Sequence, residues 1–178
     1  MKVVSVSAES DWHRQHAVPV IVQGCTESWR AMTRWASIDA LVEHYGSVEF
    51  DLATDVRLTL REYLLYAESN TVDIPYYLVE RKWESPGSWH LLDDFCVPAP
   101  FADDLFSLIE GAAAPRYWFV GGPRSGSYLH VDPLLTEAWN ACTCGAKRWV
   151  FLPPDTDLAA LGLETFQESQ RYRQSAAS

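Results

Sequence analysis

The chain has 178 residues, of which 48% are hydrophobic and 13% aromatic, enough for one globular domain with a sizeable core. A formal net charge of −10, with no Lys/Arg-rich run, argues against a long basic groove for nucleic acid. The sequence offers no run of about 18 apolar residues for a membrane span, and its four cysteines show no disulfide spacing, so an intracellular protein of the nucleus or cytoplasm is expected.

The first region, residues 1–115, mixes predicted helices and strands. One helix is expected to start after Ser37 and to stop at Gly46, and a second to follow the capping-box pattern Thr59-x-x-Glu62. Hydrophobic spacing and β-branched runs predict the other elements of this region: strands at 18–24, 47–53 and 74–80, and helices at 26–36 and 101–111.

The second region, residues 116–154, has the texture of a sheet. Strands are predicted at 116–122, 127–132, 136–145 and 147–154, separated by Gly/Pro turns. A third region, residues 155–178, is predicted to be a helix over 155–174 followed by a frayed tail. The predicted fold class is therefore mainly β with N-terminal helices, an α+β arrangement in one unit.

His130 and Asp132 are candidate metal ligands. Two residues apart on a strand, they would share a face, and imidazole plus carboxylate suits Fe(II) in a facial arrangement with open positions. A lone H-x-D is nevertheless a weak signal, and a structural His beside an Asp is the commoner outcome.

Two polar residues follow the H-x-D motif at some distance. Lys147 would need an anion if it projected toward a metal, and a dicarboxylate co-substrate could supply one; alternatively it is a solvated charge at a strand end. Cys142 and Cys144 share the face of Asn140 on a strand and could form a zinc site with the H-x-D pair, or could simply be small packed thiols.

Residues 117–154 resemble the core of a Jumonji C (JmjC) domain, closest to the group that contains the JmjC arginine demethylase and lysyl hydroxylase. The shared sequence comprises W-F-V, a P-R-S-G turn, H-x-D-P, A-W-N-A, G-x-K-R-W and a closing proline. Upstream segments match in order as well, so that the resemblance covers about residues 18–154. It implies a cupin-like double-stranded β-helix that binds Fe(II) and 2-oxoglutarate.

The resemblance also implies roles for individual residues. His130 and Asp132 would ligate the iron, and Lys147 would pair with the distal carboxylate of 2-oxoglutarate. Three further residues would contact the co-substrate: Ser127, Asn140 and Tyr77. The placement of Ser127 requires a bulge or loop, because it is out of phase with His130 on a regular strand. The reaction would be hydroxylation of a C–H bond, or demethylation when the carbon is attached to nitrogen.

The family pattern includes a third iron ligand, a His on a late strand, and this sequence has no His after Asp132. We therefore expect a barrel that is incomplete at its C-terminus, with open strand edges. Three explanations stay open: a truncated oxygenase, a non-catalytic binding or scaffold protein derived from the JmjC fold, and a barrel completed by a partner chain or a dimer. The substrate would be a protein or peptide. The acidity of the chain suits a basic one, and it is equally compatible with solubility alone.

Several other residues are predicted to have structural roles, either in the core or at the surface. Trp29, Trp35 and Trp118 are predicted to lie in the core, and His90 at the surface or in packing. Asp93 and Asp94, with Asp103 and Asp104, are predicted to be exposed charges near helix starts.

Overall fold

The computed structural model of the chain describes residues 4–7, 19–53, 55–132 and 137–163. Within these residues, six strands form three two-stranded sheets. Strands β1 (Val4–Ser7) and β2 (Val20–Gln23) pair in parallel, whereas β3 (Glu49–Ala53) with β4 (Val56–Thr59) and β5 (Leu78–Glu80) with β6 (Trp118–Val120) are antiparallel. The α-helices are α1 (Ala31–Arg34), α2 (Ile38–Tyr45) and α3 (Leu60–Ser69). Short 3₁₀ helices follow at Ser88–Asp94, Ala99–Phe101 and Leu105–Leu108. No helix of these described ranges is long and apolar enough to cross a membrane.

The two helices with strong capping signals form where they were predicted. The Ser37 hydroxyl accepts a hydrogen bond from the Ala40 amide at 3.1 Å at the start of α2. At the start of α3, the Thr59 amide donates to the Glu62 carboxylate at 2.9 Å, and the Glu62 amide donates back to the Thr59 hydroxyl at 3.3 Å. This reciprocal capping box satisfies two amides that would otherwise lack partners.

Two other predicted helices are wrong in extent. The helix predicted over 26–36 is α-helical only at Ala31–Arg34, because the preceding turns close with i→i+3 bonds, from Trp29 N to Thr26 O and from Met32 N to Trp29 O. The helix predicted over 101–111 is replaced by 3₁₀ turns. Its Asp104 side chain accepts from the Phe106 amide and starts a new short turn instead of a continuous helix.

The strands predicted over 127–132, 136–145 and 147–154 do not form in the described residues, and the strand predicted over 116–122 contracts to β6. A strand needs a hydrogen-bonded neighbour along its length, and no described segment pairs with these stretches in a sheet. The coarse α+β class is confirmed, whereas the double-stranded β-helix, its incompleteness and the division at residues 115 and 154 stay predictions. Of the helix predicted over 155–174, the described part forms turns, and the remainder lies outside the described residues.

The core is built largely from aromatic side chains, and the three predicted core tryptophans are confirmed in it. Trp118 of β6 lies with its ring centroid 5.9 Å from Trp35 and 5.5 Å from Phe50 of β3. Trp29 lies 6.0 Å from Trp139, which is partly buried and reaches the core from the segment after the H-x-D motif. The second half of the chain is thus attached to the first by aromatic packing as well as by the β5–β6 ladder.

Asp94 was predicted to be exposed, and this is wrong: it is 1% exposed and lies at the centre of a polar cluster. Its carboxylate accepts hydrogen bonds from the Arg34 guanidinium at 2.9 Å, from the Trp35 indole at 2.9 Å and from the Tyr45 hydroxyl. The burial is tolerated because three donors, one of them charged, replace the lost water. The cluster ties α1 and α2 to the 3₁₀ helix that ends at Asp94.

Replacing Asp94 by Ala is expected to lower the free energy of unfolding by about 3–5 kcal/mol, since it leaves Arg34 and two buried donors without their acceptor. The neighbouring Asp93 is 67% exposed on its side chain, so Asp93→Ala should change stability by no more than about 0.5 kcal/mol. Urea denaturation of the two variants makes the comparison. Equal losses would contradict the assigned role of the Asp94 cluster.

Candidate functional site

The hydroxyl of Tyr63 sets the position of the segments that carry the candidate site. Tyr63, on α3, is fully buried, and its hydroxyl accepts from the Leu78 amide at 3.2 Å. The same oxygen lies 3.1 Å from the Tyr76 carbonyl and 2.7 Å from the Val120 carbonyl, to which it can donate. Burial raises the pKa of Tyr63 to about 12, so the hydroxyl keeps its proton at neutral pH. One side chain therefore fixes the start of β5 and the end of β6.

Tyr77 stands between two of the backbone groups that Tyr63 binds, immediately before β5 rather than inside the predicted strand. Its ring stacks on Phe119 of β6 at 5.6 Å and 14°. A side chain at Gly121 would collide with the Tyr77 ring at 2.8 Å and with the Ser125 hydroxyl, so the ring lies close over a bare stretch of backbone. Burial raises the pKa of the Tyr77 hydroxyl, and the Cys142 thiol raises it further.

Lys147 shares the ring of Phe119 with Tyr77. Its ammonium lies over both rings, 4.5 Å from the Phe119 centroid and 4.6 Å from the Trp149 centroid. Partial removal from water lowers the pKa of Lys147, and the charge of Cys142 offsets part of this effect. Tyr77 and Lys147 thus share the Phe119 ring, and Cys142 is an electrostatic neighbour of both.

His130 and Asp132 lie next to each other, although the strand on which they were predicted to share a face does not form. Their facing atoms, Nε2 and Oδ1, lie 3.3 Å apart, with side chains 42% and 45% exposed. His130 Nδ1 lies 2.5 Å from the Tyr128 carbonyl oxygen, which can only accept, so Nδ1 carries the proton. In the neutral imidazole, the Nε2 lone pair then faces a carboxylate oxygen, an arrangement that is favourable only with a proton or a metal cation between them.

The pair also has a suitable spacing for two ligands of one metal ion. Ligand bonds of about 2.1 Å that meet at a right angle place neighbouring ligand atoms about 3.0 Å apart. The observed 3.3 Å between His130 Nε2 and Asp132 Oδ1 is close to this value. The donor set of one imidazole and one carboxylate therefore fits two positions of an Fe(II) site.

The remaining predicted site residues are Ser127 and Asn140. Ser127 is exposed and lines a cavity of about 230 Å³ together with residues of the loop 73–75 and of the P-R-S-G turn. In that turn, Arg124 donates to the Val72 carbonyl at 3.0 Å and so attaches the turn to the segment after α3. Asn140 is exposed and makes no hydrogen bond within the described ranges, although its neighbour Trp139 stacks on Phe101 at 5.6 Å.

The zinc alternative does not fit the geometry. Across the described residues, no three His, Cys, Asp or Glu side chains lie close enough to hold one metal ion, so Cys142 and Cys144 do not join the H-x-D pair. Cys142 instead donates weakly to the Cys144 carbonyl at 3.5 Å. His90 is exposed, as predicted, and lies 3.5 Å from Asp93.

Sequence reasoning missed the aromatic surroundings of Lys147. Phe119 belongs to the W-F-V run and Trp149 to the K-R-W run. Neither run predicts that both rings contact the Lys147 ammonium. The available signal was the density of aromatic residues on both sides of the lysine. It indicates packing without saying which rings converge.

The fold and the H-x-D pair define an α+β domain with a candidate metal site, and comparisons with known proteins identify its family. The chain is 37% identical over 142 residues to lysine-specific demethylase JMJ21 of Arabidopsis thaliana, covering 76% of this chain and 15% of that protein. It is 37% identical over 145 residues to the bifunctional arginine demethylase and lysyl-hydroxylase psr-1 of Caenorhabditis elegans, covering 77% and 36%. A third relative, the human 2-oxoglutarate and iron-dependent oxygenase JMJD4, is 26% identical over 165 residues, covering 75% and 38%.

The chain belongs to the JmjC-domain family. It spans between 15% and 38% of the length of these three relatives. No family model matches the chain. No solved structure matches it either.

The isolated H-x-D pair should bind Mn(II), a spectroscopic substitute for Fe(II), and His130→Ala should weaken that binding at least about tenfold through loss of the only nitrogen donor of the pair. The loss of the free Mn(II) signal in electron paramagnetic resonance measures binding. His90→Ala is a matched control, because His90 and Asp93 form another exposed His–Asp pair at 3.5 Å. Equal weakening by both substitutions would contradict a specific site at His130.

Proposed function

We propose that this chain provides the iron- and 2-oxoglutarate-binding part of a JmjC oxygenase that hydroxylates or demethylates protein side chains. The observation that carries the proposal is the His130–Asp132 pair. Its facing atoms, 3.3 Å apart, require a proton or a metal cation between them, and its donor set suits Fe(II). The names of the relatives, which include demethylases, a lysyl hydroxylase and an iron-dependent oxygenase, support the reaction class.

His130 and Asp132 would hold the metal through Nε2 and Oδ1. The Tyr128 carbonyl fixes the tautomer and the orientation of the imidazole by accepting from Nδ1. Two protein ligands leave at least three coordination positions for other donors, which is the arrangement that a chelating co-substrate and oxygen require. When bound, iron and 2-oxoglutarate supply the oxidising chemistry that breaks the substrate C–H bond.

Lys147 would bind the distal carboxylate of 2-oxoglutarate. Its ammonium is flanked by aromatic faces and has no carboxylate partner within the described part of the chain, so its charge is available to an anion. Tyr77, which stacks on the same Phe119 ring, would donate its hydroxyl to the same ligand, and its raised pKa keeps that proton in place. Ser127 and Asn140 are proposed co-substrate contacts on the resemblance alone.

The substrate class is proposed as a protein or peptide with a basic residue. The net charge of −10 favours approach of a cationic partner over an anionic one. Whether the product is hydroxylated or demethylated depends on which substrate carbon lies nearest the metal. The described side chains do not determine which carbon that is. The alternative function, a non-catalytic binding protein built on the same fold, shares the family but would not turn over 2-oxoglutarate.

Bound 2-oxoglutarate should protect Cys142 from alkylation, because the exposed Cys142 is an electrostatic neighbour of Tyr77 and Lys147, the two proposed co-substrate contacts. In the presence of Mn(II), saturating 2-oxoglutarate is expected to slow iodoacetamide modification of Cys142, measured by mass spectrometry of the labelled peptides. Cys96 is also exposed and serves as an internal control in the same sample. Lys147→Ala should abolish the protection.

An assay of succinate formation then distinguishes the two functions. The same protein is incubated with Fe(II), 2-oxoglutarate and basic peptides, and the succinate produced is measured. Protection of Cys142 with succinate formation supports the oxygenase, whereas protection without turnover supports the non-catalytic binding protein. Equal modification rates with and without 2-oxoglutarate would contradict co-substrate binding at this site.

A further inference from the structure

The ammonium of Lys147 lies over the faces of two aromatic rings, and no motif assigns these rings to it. The distances to the centroids are nearly equal, 4.5 Å for Phe119 and 4.6 Å for Trp149, and both are within the range of a cation–π contact. We name these two rings the aromatic clamp. Because each ring presents its negative face, the ammonium is attracted by both rings, and its range of rotamers is narrowed.

Both rings of the clamp pack against other aromatic rings. Phe119 is held in β6 opposite Val79, and its ring stacks with Tyr77 at 5.6 Å and with Tyr117 at 5.8 Å. Trp149 stacks on Phe151 at 5.6 Å and 8°. The clamp is therefore part of a longer aromatic array and does not depend on two isolated side chains.

The clamp holds the lysine without neutralising it. A carboxylate partner would hold the ammonium equally well, but it would also compete with any incoming anion for the same charge. Aromatic faces attract the ammonium and leave its net charge intact. Within the described residues Lys147 makes no ion pair, so its ammonium contacts the two rings and keeps its net positive charge.

We propose that Phe119 and Trp149 are positioning residues that hold the Lys147 ammonium ready for the carboxylate of the co-substrate. The inference rests on the proposed function for the identity of the anion, while the clamp itself is independent of that function. The contrasting role is purely structural: the lysine stem would simply cover Trp149, which is 51% exposed, and the position of the ammonium would have no effect on binding.

The clamp can be observed directly, because the chain has three lysines, Lys2, Lys82 and Lys147. Reductive methylation with ¹³C-formaldehyde preserves the positive charge and labels each ammonium, and Lys147→Arg assigns the Lys147 signal. Its methyl protons should resonate upfield of those of Lys82 because of the two ring currents. Phe119→Leu and Trp149→Leu should each move the signal toward that of Lys82, whereas Trp149→Phe should retain part of the shift.

The unmethylated protein then tests positioning through its affinity for 2-oxoglutarate, measured by isothermal titration calorimetry with Mn(II). Loss of one cation–π contact at a partly exposed site should weaken binding about two- to fivefold. Tyr117→Leu is the control, since Tyr117 belongs to the same array but makes no cation–π contact with the ammonium. Trp149 lies outside every helix and strand, so its substitution tests the proposal even if Phe119→Leu fails to fold.

The outcomes separate the clamp from the proposed function. An upfield Lys147 signal, with weaker 2-oxoglutarate binding in the clamp variants than in Tyr117→Leu, supports the proposal. A Lys147 signal that coincides with that of Lys82 overturns the clamp. An upfield signal with unchanged affinity in the variants overturns positioning, and an upfield signal with no 2-oxoglutarate binding by the wild-type chain overturns the proposed function while leaving the clamp intact.

Discussion

The constraint on which the candidate site depends is the set of hydrogen bonds around one buried hydroxyl, that of Tyr63. It connects α3 to the start of β5 through the Leu78 amide and to the end of β6 through the Val120 carbonyl. These strands are three residues each, too short for a stable two-stranded ribbon by themselves. Their mutual register, and with it the stack of Tyr77 on Phe119, is therefore maintained by α3, which in turn begins at the capping box of Thr59.

The candidate site has two parts that are held by different interactions. His130 and Asp132 face each other because they are two residues apart and because a backbone carbonyl orients the imidazole, so their geometry is local. Lys147 reaches Phe119 across a long stretch of sequence, and its position depends on tertiary packing of aromatic rings. A disturbance of the core would therefore affect the lysine before it affects the histidine and the aspartate.

Those two kinds of interaction explain how far the sequence could predict the structure. Ser37 and Thr59 cap their helices through residues three positions away, so the pattern contains the whole interaction and α2 and α3 form as predicted. The strands predicted over 127–154 depend on distant neighbours, and a β-rich composition cannot state whether these are present. Asp94 was misread for the same reason: its donors Arg34 and Trp35 lie 60 and 59 residues away, and a carboxylate near a helix is ordinarily exposed.

The exposure of the His130–Asp132 pair limits what these two residues can do alone. With side chains 42% and 45% exposed, water occupies the surroundings and reduces the attraction between the ligands and a cation. A bidentate anion anchored at its far end by Lys147 would offset this effect. It would replace water at the metal, and its anchored end would reduce the conformational entropy that is lost when the other end binds. Metal and co-substrate affinity should consequently be coupled, and the contacts of the Lys147 ammonium with Phe119 and Trp149 would favour such coupling by reducing the ordering that binding requires.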